Sequence, residues 1–81
     1  MKEHELFTQA GLALFPAQTW KGHMTLALLV DSRKIRRWAA GDEKIPEGVW
    51  DDVHTLLIRH RQQVANVAGQ VAKLIIDRAA G

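Results

Sequence analysis

Eighty-one residues are enough for one domain with a small core and no more. No cysteine is present, which excludes a disulfide framework and any thiolate metal site. The net charge is only +2, but it is unevenly placed: residues 31–40 carry +3, residues 41–58 carry −4 and residues 59–81 carry +3.

The chain starts without a basic-then-apolar leader. Its longest apolar run, Leu26 to Val30, is too short to span a bilayer, so a soluble, cytoplasmic protein is expected. Leu6, Phe7, Ala10, Leu14 and Phe15 recur at helical spacing and predict a first helix over residues 3–14. Glu3 and Glu5 suit its positive end, and Pro16 stops it. Thr19 is a plausible N-cap for a second helix from Trp20 to about Leu29, with Trp20, Met24 and Leu28 facing inward. Gly22 weakens that helix by up to about 1 kcal/mol relative to Ala.

Asp31 is a good N-cap for a third helix, Ser32 to Ala40. Ile35 and Trp38, three apart, face the core. Arg33, Lys34, Arg36 and Arg37 place four cations within five positions, and Arg33, Arg36 and Arg37 cannot share the inward face. A cationic helix held on a buried scaffold is what reading a DNA major groove requires. Gly41 is a natural residue to end this helix. GDEKIPEG, residues 41–48, reads as a linker, with Pro46 suited to the first turn of the next helix.

Beyond it, Trp50, Leu57, Val64 and Val71 recur at sevens, and Val53, His60, Val67 and Leu74 fill the complementary seam. This heptad-like pattern fits one long helix, or two broken near Arg59–Arg61. Ala65, Ala68, Gly69 and Ala72 permit close helix approach. A C-terminal helix over about residues 60–79 is thus a candidate dimer surface, through Val64, Val67, Ala68, Val71, Leu74 and Ile75. The alternative is an intramolecular core in which it folds over the first helix. In a chain this small both uses are expected together, on different faces.

Residues 19–50 resemble the Cro/cI-type (XRE-like) helix-turn-helix domains of phage and bacterial regulators. The resemblance rests on apolar Met24, Leu28, Val30, Ile35 and Trp38, and on the ending Arg36-Arg37-Trp38-Ala39-Ala40-Gly41. It covers roughly half of the chain and places the motif at about residues 19–41. The chain departs from the family at Thr25, where Ala or Gly is usual, and at Leu29, where a turn glycine is usual. Leu tolerates a left-handed backbone poorly, which implies a reshaped turn or a register shifted by one residue.

The resemblance implies an all-α fold of about five helices and a sequence-specific DNA-binding regulator. By the same resemblance, Ser32, Arg33 and Arg37 would contact bases, and the planar fork of Arg matches guanine O6 and N7. Thr19, Lys21, Lys34, Arg36 and Lys44 would contact phosphates. Such proteins bind inverted repeats in double-stranded DNA as homodimers, with half-sites about one helical turn apart. Phage or prophage repressors, anti-CRISPR-associated repressors and DNA-binding antitoxins share this build.

Other chemistry has less support. His4, His23, His54 and His60 lack metal-ligand spacing. Ser32 is the only serine and has no adjacent base. No enzyme activity, cofactor, metal or small-molecule ligand is expected. The competing readings are a helical protein-interaction module that uses the C-terminal helix, and a non-specific DNA-binding protein.

Overall fold

The computed structural model describes all residues, Met1–Gly81. The chain is all-helical: α1 (Glu3–Leu14), α2 (Trp20–Leu28), α3 (Ser32–Ala40) and α4 (Glu47–Ala80). There are four helices rather than about five, because residues 47–80 form one uninterrupted helix of 34 residues. No proline occurs after Pro46, and the charged stretch at Arg59–Arg61 does not break the backbone ladder.

The chain breaks fall where local chemistry dictates. Phe15 is extended at φ −136, ψ 161, as a residue preceding proline must be. Gly41 adopts φ 80, a left-handed conformation that carries no steric penalty for glycine. The amide of Asp42 then reaches back to the carbonyl of Arg37 at 2.9 Å, closing the end of α3. Pro46, at φ −62 and ψ 150, immediately precedes α4.

Leu29 carries the turn between α2 and α3 in the left-handed region, at φ 56 and ψ 45. Leucine adopts the strained conformation itself, at a cost of roughly 1–2 kcal/mol. Its side chain is 89% exposed, so packing returns little.

The core consists of Phe7, Ala10, Trp20, Met24, Leu28, Ile35, Trp38, Ile45 and Val53. Phe7 is its hub. The ring meets Trp20, Trp38 and Trp50 edge to face, with centroids 6.1, 5.9 and 6.3 Å away, the geometry preferred by opposed quadrupoles. All three tryptophans therefore pack inward. α1 comes close to α2 at Gly11, where an added Cβ would lie 2.1 Å from the Trp20 ring.

Only the first part of α4 joins this body. Val53 is its one buried residue, flanked by partly buried Val49, Trp50, Leu56 and Leu57. From Arg61 onward every residue is exposed, and the molecule measures 57 × 24 × 24 Å. The packed face of α4 and its bare apolar face are one face. By the seven-residue spacing, one face packs on the body at Trp50, Val53 and Leu57 and continues bare through Val64, Val67, Val71 and Leu74. No helix is long and apolar enough to cross a membrane.

Candidate nucleic-acid interface

α3 is the element that organises the cationic surface. Ile35 is fully buried and Trp38 is 3% exposed, so two anchors one turn apart pin the helix to the body. Helical geometry then turns Ser32, Arg33, Lys34, Arg36 and Arg37 outward, and all five are exposed. α3 packs on both α1 and α2, which fixes its rotation about its own axis.

The start of α3 is capped by Asp31, whose Oδ1 accepts from the amide of Arg33 at 2.7 Å. The Arg33 guanidinium Nε lies 3.7 Å from the same oxygen. The backbone hydrogen bond from Arg33, chiefly, and the Arg33 charge hold the Asp31 carboxyl below its ordinary pKa.

Glu43 organises the other end. Gly41 turns the chain back so that the Glu43 carboxylate accepts from Lys34 Nζ at 3.0 and 3.2 Å. It also stands 3.9 Å from Arg37 Nη1. The Lys34 hydrogen bond first, then the Lys34 and Arg37 charges, keep its pKa below the ordinary value. The indole Nε1 of Trp38 is buried without a hydrogen-bond partner; it favours the ionised Glu43 carboxylate but falls short of bonding geometry.

The expected contact residues thus separate into groups. Lys34 and Arg37 are brought together on Glu43, and Arg33 sits on Asp31. Arg36 is exposed on the same helix and makes no ion pair. Lys44 lies past the end of α3, in a shallow depression of about 270 Å³ shared with Glu3, His4 and Glu43.

Thr19 and Lys21 stand apart at the start of α2, around a second depression of about 250 Å³. Thr19 occupies the N-cap position at φ −130, ψ 6, but its side chain caps nothing. No side chain therefore competes for the first amides of α2, and an uncapped helix start favours an anion. Lys21 Nζ rests 5.7 Å from the Trp20 ring centroid, close enough for a cation–π contact.

Glu43 is the acidic neighbour of the cationic helix that sequence spacing does not mark. It is nine residues from Lys34, a separation with no helical meaning. Its only signal was Gly41, a helix-ending glycine that redirects the chain toward the last turn of α3.

Comparison with protein-family models, with curated proteins and with solved structures finds no match to this chain.

Proposed function

We propose that this protein is a sequence-specific DNA-binding regulator of the helix-turn-helix type. One observation carries the reading: α3 is anchored by Ile35 and Trp38 while it exposes Ser32 and four cations on a rigid body. In this reading Ser32, Arg33 and Arg37 enter the major groove and contact base edges. Lys34, Arg36 and Lys44 hold the flanking backbone, and Thr19 and Lys21 hold a phosphate at the open start of α2. Phosphates compete with Glu43 for Lys34 and Arg37, so binding exchanges an internal carboxylate for the polyanion.

The reading includes a homodimer on an inverted repeat, joined through Val64, Val67, Ala68, Val71, Leu74 and Ile75. Regulation is by occlusion: the bound dimer covers a promoter and blocks polymerase. Phage or prophage repressors, anti-CRISPR-associated repressors and antitoxins all suit such a compact unit. No cofactor is required.

Selection from a random duplex DNA pool at near-physiological salt tests the reading. Recovery of an inverted repeat supports it. Retention of DNA without a preferred sequence points to architectural binding, and no retention removes DNA as the partner. Within a recovered site, Arg37→Ala costs about 1–3 kcal/mol, confined to one base position. Lys21→Ala weakens all sequences alike and flattens the salt dependence.

A second reading, a helical protein-interaction module, draws on the local pairing of Arg33, Lys34 and Arg37 with acids and on the bare face of α4. If neither Arg37→Ala nor Lys21→Ala alters DNA retention, that reading prevails.

A further inference from the structure

The free half of α4 is the largest unpartnered feature of the molecule. Val64, Val67, Val71 and Leu74 are each 50–54% exposed, and Ile75 is 62% exposed. A contiguous apolar stripe of this kind is rare on a monomer. The segment is also a poor helix former alone, since Val64, Val67, Val71, Ile75 and Ile76 are β-branched and Gly69 lies among them. In proteins most helical stability comes from tertiary packing of an apolar face and not from propensity.

We infer that the free half of α4 pairs antiparallel with the same segment of a second copy, in a register centred at Gly69. The inference rests on the self-association in the reading above and not on its DNA part. Continuity of the seam argues for a helix as the occupant. Trp50, Val53 and Leu57 already use this face against the body, and the bare residues continue it at the same spacing.

Orientation is set by where the body sits. The molecule is 24 Å across, and its body lies on the seam face of α4. Packed helices stand only about 8–10 Å apart. In a parallel pair both bodies would have to occupy that one gap, side by side. In an antiparallel pair each body lies beyond the end of its partner's helix.

The lengths agree. Leu57 is the last residue of α4 packed on the core, and Ala80 is the last helical residue. Centred at Gly69, the partner's Ala80 falls opposite Ile58, where the body stops. The layers then match along the seam. Val64 meets the partner's Leu74, Val67 meets the partner's Val71, and the two-fold axis repeats both.

The flanks agree as well. In an antiparallel pair like flank meets like flank, so Ala68 lies beside the partner's Ala68, about 3 Å from it along the axis, and lets the helices approach closely. A parallel pair would set Arg78 against the partner's Arg78 on the seam, and His60 against the partner's His60. The antiparallel pair separates both like pairs and leaves the outermost layer as His60 with the partner's Arg78. The partner's last turn also abuts the edge of the groove between α1 and α4, lined by Leu6, Ala13, Trp50 and Leu57.

The chain has no cysteine, so introduced cysteines report without background. Sedimentation of the full chain should give about 18 kDa, twice 9.1 kDa. Val64→Cys and Leu74→Cys chains, distinguished by a size tag, are then oxidised separately and mixed. Antiparallel pairing gives a disulfide only in the mixture, between position 64 of one chain and position 74 of the other. Each variant alone stays unlinked, because its two copies lie ten residues apart along the axis, about 15 Å, beyond disulfide reach.

His60→Cys mixed with Arg78→Cys repeats the test with every apolar seam residue in place. Self-linking of Val64→Cys alone would establish parallel pairing and overturn the inference while the dimer stands. A mass of 9.1 kDa would overturn the inference and the dimer together, and a mass well above 18 kDa would overturn the two-helix pairing. Loss of DNA selection with mixed-only linking would leave this inference intact and remove the DNA reading.

Discussion

The two halves of α4 carry one pattern and meet two fates. Trp50, Val53 and Leu57 are covered by α1 and α2, whereas Val64, Val67, Val71 and Leu74 stand in solvent. Periodicity reports that a face must be covered; it does not report by what. The difference lies in chain length. Residues 3–45 supply three short helices, enough to cover about three turns of a helix that runs for 34 residues.

The contrast is broken most sharply by one core change set beside one seam change. Phe7 is fully buried among three tryptophans, so Phe7→Ala should cost about 3–5 kcal/mol. That is a large part of the roughly 5–15 kcal/mol typical of a domain. Its loss of stability in urea should be the same at every protein concentration. Val71→Asp should leave the body folded and instead lower the mass to 9.1 kDa, an effect that concentration opposes. A concentration-independent loss in Val71→Asp would mean that the free half of α4 supports its own body.

Gly11→Ala is the next largest effect. The added methyl would stand 2.1 Å from the Trp20 ring, and overpacking of this kind costs about 1–3 kcal/mol. Tryptophan fluorescence during urea unfolding reads it directly. An unchanged midpoint would show that α1 and α2 can part without penalty.

Gly11 also marks where the sequence stopped being legible. The bounds of α1 and α3 are set by Pro16, Asp31 and Gly41, because each acts on the backbone within two or three residues of itself. Phe7, Trp20, Ile35 and Trp38 were recognisable as core by helical spacing alone. Gly11 was not, since close approach depends on which residue the other helix presents. Glu43 escaped for a related reason: its partners are set by where a turn sends the chain. The single span of α4 is not legible in the heptad pattern, because charge at Arg59–Arg61 resembles a break, although only a backbone breaker would have made one.

Leu29 tests the junction on which α3 depends. A left-handed backbone costs leucine roughly 1–2 kcal/mol, while glycine there costs about 0.5–1 kcal/mol in chain entropy. Leu29→Gly should therefore stabilise the body by up to roughly 1.5 kcal/mol, the largest difference between those penalties. The urea midpoint should rise while the slope stays constant. A fall would mean that the exposed leucine packs on a surface outside the single chain.

The smallest effect separates charge from hydrogen bonding at the start of α3. Asp31 has a folded pKa below its ordinary 3.8, chiefly because its oxygen accepts from the Arg33 amide. Protons therefore prefer the unfolded chain. The stabilisation is complete above the ordinary value and is lost as pH falls through the lower folded one. Asp31→Asn retains a cap of similar quality but cannot titrate. Its melting temperature should lie close to the parent's at neutral pH, and the parent should lose stability relative to it on acidification. Glu43 is shifted in the same direction, so the double variant Asp31→Asn, Glu43→Gln should flatten the acid limb further. If the single variant already removes all of the acid sensitivity, the Lys34–Glu43 contact adds nothing to folding, and Glu43 is left free to exchange its cations for another anion.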